Sequence, residues 1–194
     1  MKSTTFALFV AAALVLLGAS QVYADGIIYT VSDTSVTGTL NGVGFTAPVT
    51  VTFTGDTSNV TNSCGASVAP CNQVGTATIT IGGLGTYTFT DAMEAFDNQS
   101  YPAAGISDLS SGPFSVLDTI DSAFITYGLT TAIGPITDTS FINPALFANT
   151  TGGVLNFTGD SGTSTFTATT PEPMTLGLLG PGLFGLFLAR KKRA

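Results

Sequence analysis

Apolar and polar positions alternate with period two through much of this chain. In Pro48-Val49-Thr50-Val51-Thr52-Phe53-Thr54, the apolar Val49, Val51 and Phe53 fall on one face and threonines on the other. The scheme repeats in Thr76-Ala77-Thr78-Ile79-Thr80-Ile81, in Gly85-Thr86-Tyr87-Thr88-Phe89-Thr90 and in Thr163-Ser164-Thr165-Phe166-Thr167-Ala168-Thr169. Such alternation, rich in β-branched and aromatic residues, predicts half-buried antiparallel strands. Further strands are expected near Ile27 to Val31, Thr34 to Leu40, Phe114 to Leu117, Ala123 to Leu129 and Gly153 to Phe157. Turn-forming pairs separate them: Asn41-Gly42, Gly55-Asp56, Gly82-Gly83, Asn143-Pro144, Gly152-Gly153 and Gly159-Asp160. About nine or ten short strands between turns predict an all-β fold, an antiparallel β-sandwich, with a jelly roll as one topology open to it. No long helical pattern occurs between the two ends. Asp91 to Asp97 is ambiguous. Asp91 and Glu94 have capping-box-like spacing, but the alternation just before them favours continued strand.

The two ends depart from this pattern. Lys2 precedes an apolar run from Phe6 to Ala19, and Val22-Tyr23-Ala24 follows with suitable residues three and one places before a cut. This is a signal-peptide pattern covering residues 1–24, with cleavage expected between Ala24 and Asp25. At the other end, Pro171-Glu172-Pro173 precedes an apolar run, 174–189, and a basic cluster, Arg190, Lys191, Lys192 and Arg193. As a helix that run reaches roughly 24 Å at 1.5 Å per residue. That is slightly short of a hydrocarbon core of about 30 Å, and Gly177, Gly180, Pro181, Gly182 and Gly185 weaken it. The basic cluster would hold its end at the cytoplasmic face. The expected organisation is therefore a signal helix (1–24), a β domain (25–170) and a tail (171–194) with a transmembrane segment.

Charge sharpens this division. All the Lys and Arg residues are Lys2 and the terminal cluster, so 25–189 contains none, while every acidic residue of the chain lies there. Such a surface repels phosphate backbones, so no nucleic-acid partner is expected. The chain also lacks His and Trp. This removes the commonest general base and metal ligand, and the best sugar-stacking ring, though Tyr29, Tyr87, Tyr101 and Tyr127 remain. Ser-His-Asp and Cys-His nucleophiles are excluded. Glycosidase chemistry needs two placed carboxylates. The β domain has a single Glu and no Arg to orient a substrate. No catalytic residue, cofactor or enzymatic activity is expected.

Pro171-Glu172-Pro173, the glycine-bearing apolar segment and the terminal basic cluster, in that order after a signal peptide, resemble the PEP-CTERM sorting signal of Gram-negative bacteria. The resemblance covers about the last 24 residues. It implies passage through the Sec machinery and signal peptidase, then processing of the tail by an exosortase-type membrane enzyme. The expected location is transiently the inner membrane, then the cell surface or medium, with exopolysaccharide as a candidate partner. A plain membrane anchor is the alternative for the tail. Phe124 to Leu129 with Ile133-Gly134-Pro135, and Phe166 to Thr170, are similar to patterns recurring in domains that carry such tails, which implies no activity.

Three features inside the domain invite chemistry. Cys64 and Cys71 in an exported domain predict a disulfide across a turn-rich loop, worth roughly 2–3 kcal/mol. The carboxylates Asp91, Glu94 and Asp97, and the pair Asp118 and Asp121, are candidates for Ca²⁺. No EF-hand or RTX-type repeat accompanies them, and solvated loop carboxylates with no bound metal is the plainer expectation. The Thr-x-Thr runs read as ordinary outward-facing strand threonines, because an array for ice or crystalline sugar calls for a fixed-period repeat that is absent. Two function classes follow: a non-enzymatic surface or extracellular-matrix protein, and a carbohydrate- or calcium-binding adhesion module. Ice binding and a polysaccharide-acting enzyme rank well behind both.

Overall fold

A computed structural model describes residues 26–65, 68–110 and 114–171. The expected signal helix with its Ala24–Asp25 cut, and the tail from Glu172 onward with its span 174–189, lie outside the described residues. No helix among the described residues is long and apolar enough to cross a membrane.

The fold is all-β and antiparallel. Thirteen strands follow in order among the described residues: β1 (Gly26–Leu40), β2 (Val43–Asp56), β3 (Val60–Thr61), β4 (Cys71–Asn72), β5 (Gly75–Ile81), β6 (Gly85–Thr88), β7 (Met93–Asn98), β8 (Ala103–Asp108), β9 (Phe114–Ile120), β10 (Ile133–Phe141), β11 (Phe147–Thr150), β12 (Gly153–Gly159) and β13 (Thr163–Thr169). Hydrogen bonding runs along one continuous path, β3-β4-β7-β8-β9-β10-β13-β1-β2-β5-β6, with β12 and β11 branching from β1. One bridge, Phe89 to Thr150, ties the β6 end back to β11.

The long β1–β2 hairpin is the spine, and its turn follows directly from sequence. Asn41 (φ 50°) and Gly42 (φ 79°) both take the left-handed conformation, as a two-residue hairpin turn of type I′ demands. The two segments expected at Ile27 to Val31 and Thr34 to Leu40 are one strand, β1, with a bulge between Asp33 and Val36. A bulge bends a strand. Accordingly, β13 pairs with the first part of β1 and β12 with the last part.

Alternation sends Ile27, Tyr29, Val31, Val49, Val51, Phe53, Ile79, Ile81 and Phe166 into one core. Strands β7, β8 and β9 lie against β1, β2 and β5 across that core. They differ from the other strands in burial: every residue of β8, and β7 from Met93 to Asp97, is buried.

Two expectations change. Asp91 to Asp97 does not continue β6: Asp91 lies in a bend and a separate strand, β7, starts at Met93. Ala123 to Leu129 is not a strand. The Asp121 carboxylate accepts from the Ala123 N–H at 2.7 Å and turns Ser122–Ile125 into a short 3-10 helix. Phe124, Tyr127 and Leu129 still reach the core from that irregular segment. Leu129 sits at φ 58°, a costly conformation for a branched residue, and its carbonyl accepts from the buried Tyr29 hydroxyl at 2.5 Å.

Candidate functional site

Two arrangements stand out: a face of hydroxyls and a set of buried carboxyls. The outward side chains of β10, β13, β1, β2, β5 and β6 are threonine with few exceptions, and the strand register lines them up. One row runs Thr137, Thr165, Ser32, Thr50, Thr80, Thr86 across six strands. The next runs Thr167, Thr30, Thr52, Thr78, Thr88 across five. A third holds Thr169, Ile28, Thr54 and Thr76. Within a row, neighbours sit about 4.8 Å apart, and rows are about 6.7 Å apart along the strands. Thr80 and Thr86 hydrogen-bond through their hydroxyls at 2.8 Å, as do Thr137 and Thr165 at 2.7 Å. The rows contain no charged residue, although the domain is acidic. The sequence shows the outward threonines but not their alignment, because no repeat period encodes a cross-strand register.

The carboxyls gather on β7, β8 and β9. Asp97 is fully buried, and neither of its oxygens has a hydrogen-bond partner among the described residues. Burial pushes it up to about 7. The nearby Gln99 amide offsets this only in part, since it donates to the Tyr127 carbonyl at 2.8 Å. Asp118 also reaches about 7, chiefly through burial, with the charge of Asp160 adding to the shift and Ser115 and the Phe141 N–H opposing it. Asp108 is fully buried and raised by burial, against the pull of Ser110. Tyr29 is pushed up to about 12 by burial, and Tyr127 is raised as well, by burial first and then by Tyr29 and Asp97.

The carboxylates singled out from sequence are distributed differently from that expectation. Asp91, Glu94 and Asp97 do not converge. Asp91 accepts from the Asn149 N–H at 2.6 Å, Glu94 from the Gln73 amide at 2.9 Å, and Asp97 faces the core near Tyr127. Asp118 is buried while Asp121 caps the 3-10 turn. Among the described residues no three Asp, Glu, Cys or His side chains form a metal-binding group. Of the tyrosines offered as sugar platforms, Tyr29 and Tyr127 are buried in the core, and Tyr87 bonds the Leu84 carbonyl at 2.9 Å. Tyr101 is well exposed.

Cys64 and Cys71 form the expected disulfide, with Cα atoms 5.9 Å apart and both residues buried. It closes the loop that leads into β4. Pro171 is the last described residue. Glu172, Pro173 and the basic cluster Arg190, Lys191, Lys192 and Arg193 lie outside the described residues. Comparison with protein-family models, curated proteins and solved structures finds no match to this chain.

Proposed function

We propose that this chain is an exported surface or extracellular-matrix protein, sorted by an exosortase-type enzyme, whose acidic β domain acts without catalysis. The observation that carries the reading is the order of segments in the sequence: a signal-peptide pattern, a domain without a single Lys or Arg, then Pro171-Glu172-Pro173, an apolar run and a basic end. The first segment would direct export and the last would stop in the membrane until processed. The absence of His throughout the chain, and of any Lys or Arg near the buried carboxyls, supports a non-enzymatic role. We read the single sheet, folded so that β7–β9 face β1, β2 and β5, as sandwich-like in its packing. Replacing Pro171, Glu172 and Pro173 together by alanine tests the sorting step. The expected result is protein retained in the inner membrane. Unchanged appearance at the surface or in the medium would contradict it.

The hydroxyl face favours one second reading, a carbohydrate-binding adhesion module. An uncharged, donor- and acceptor-rich face suits a neutral polysaccharide, and the acidic remainder disfavours a polyanionic one. Thr52→Lys places a charge in the centre of the face while leaving the core untouched. A neutral polysaccharide pull-down that captures the wild type and loses this variant is the expected outcome for that reading. Equal capture, or none, removes it.

A further inference from the structure

The two longest hydroxyl rows lie side by side. Thr137, Thr165, Ser32, Thr50, Thr80 and Thr86 form one, and Thr167, Thr30, Thr52, Thr78 and Thr88 the other. At about 4.8 Å per strand, the first row extends roughly 24 Å across the sheet. Thr80 with Thr86, and Thr137 with Thr165, share one hydrogen bond per pair, at 2.8 and 2.7 Å. A hydroxyl has one donor and two acceptor sites, so each pair still offers a donor and acceptor sites outward.

The face that carries the rows is convex. Phe89 bridges to Thr150, the Thr151 N–H donates to the Thr88 carbonyl at 2.8 Å, and the Thr88 N–H donates to the Thr151 hydroxyl at 3.1 Å. β11 pairs with β12, and β12 with β1. So β1, β2, β5, β6, β11 and β12 come back round on themselves, with Val49, Ile81, Leu155 and Phe157 in the core and the threonines outside. Adjacent strands also twist by about 20–25°, which sums to roughly 100–125° over the six strands of the first row. A rigid planar lattice therefore meets about two or three strands at a time. A convex face encloses nothing, so affinity has to accumulate along the length of a ligand.

A glycan chain meets these terms. A pyranose unit in an extended chain advances by a distance similar to one cross-strand step, and its hydroxyls project from two opposite edges. A chain laid across the strands between the two rows brings one ring to each strand. One edge of each ring then faces the first row, and the other edge faces the second, about 6.7 Å away. Threonine methyls pack on ring C–H groups, and the hydroxyls exchange hydrogen bonds with those of the sugar. Rows of hydroxyls alone do not read the configuration of one sugar against another. We propose that the two rows form a track for a single extended, hydrated, neutral glycan chain, selected by its lack of charge and its flexibility and not by sugar identity. This deepens the carbohydrate reading above and rests on it. The curvature excludes a crystalline polysaccharide, or any other planar ordered surface, as the partner.

Affinity electrophoresis of the protein purified from producing cells, in gels cast with hydroxyethyl cellulose or galactomannan, tests this, alongside sedimentation with microcrystalline cellulose. Both soluble neutral chains are expected to retard the protein, and the crystalline solid to leave it in the supernatant. Titration with cello-oligosaccharides should show affinity rising ring by ring and levelling off near the hexasaccharide. Thr50→Val with Thr80→Val, in the first row, and Thr30→Val with Thr78→Val, in the second, keep side-chain shape and strand propensity while removing two hydroxyls each. Each pair is expected to weaken binding about fivefold or more, the net worth of two hydrogen bonds. Thr54→Val with Thr76→Val, in the third row, should bind like the wild type. Binding unchanged in both row pairs, full affinity for a disaccharide, or stronger retardation by the polyanion alginate would overturn the track. Capture by the crystalline solid and not by the soluble chains would overturn it while leaving the carbohydrate reading standing. Retention by none of these glycans removes both, and leaves the sorting reading, which rests on the chain's ends.

Discussion

Neither Asp97 oxygen accepts a hydrogen bond among the described residues, and no Lys, Arg or His lies between Asp25 and Ala189, so its protonation controls what its burial costs. The unfolded chain releases this proton near 3.8, the ordinary value, and the folded domain only near 7. Between those values the folded state holds a proton that the unfolded state has lost, so stability falls as pH rises through the interval and levels off above it. Asp118 behaves alike, with a folded value also about 7. Each group contributes a slope of at most about 1.4 kcal/mol per pH unit. Many proteins lose stability on acidification through this interval, as paired carboxylates are protonated. Melts in chelator should instead show the highest Tm in mild acid, a decline towards neutrality, and a shallower decline in Asp97→Asn. A Tm that rises with pH over that interval would contradict the assignment. Cys64→Ser should lower stability by about 2–3 kcal/mol, the value of closing so short a loop, read as a shift in the denaturant midpoint. A shift that reductant reproduces in the wild type attributes the effect to the bond.

Among the elements, the strands readable in the sequence were those with one wet face. β1, β2, β5, β12 and β13 alternate because threonine meets water on one side and Ile, Val or Phe meets the core on the other. β8 gave no such signal: Ala103-Ala104-Gly105-Ile106-Ser107-Asp108 is covered on both faces, and small residues replace the alternation. A Cβ on Gly105 would fall 2.4 Å from the Asp118 Cβ and 2.6 Å from the Leu117 carbonyl oxygen. Gly105→Ala is therefore expected to separate β8 from β9 and to destabilise the domain by at least 1–3 kcal/mol, roughly the cost of overpacking. A variant melting like the wild type would contradict this close approach of β8 to β9. Ala123 to Leu129 misled in the opposite way. Its apolar spacing suits a strand, but the Asp121 cap bends its start, and the core is filled from a loop. There Phe166 meets Phe124 edge-on at 5.3 Å and Tyr127 at 6.0 Å. Phe166→Ala should cost about 3–5 kcal/mol in chemical denaturation, since this ring joins β13 to that loop.

At the scale of the whole molecule, the domain's acidity and its neutral hydroxyl face are separate properties. The first is legible in composition, because no Lys or Arg occurs between Asp25 and Ala189. The second needs the register of six strands, which turns and bulges set and which periodicity alone does not encode. The buried carboxyls belong to neither, since the same Asp in a sequence reads as loop solvent or as core. The proposed address of the protein rests on the sequence patterns of its two ends, since sorting signals are short segments read independently of any fold. The measurement that tests the central claim most directly is the intact mass of the mature protein, recovered from the producing cells and their medium. The account predicts a species that begins at Asp25, ends between Pro171 and Pro173, and is light by the two hydrogens of the Cys64–Cys71 disulfide, plus any attached group. A steady-state species that retains the chain through Ala194 would make the tail a simple membrane anchor and would contradict exosortase sorting.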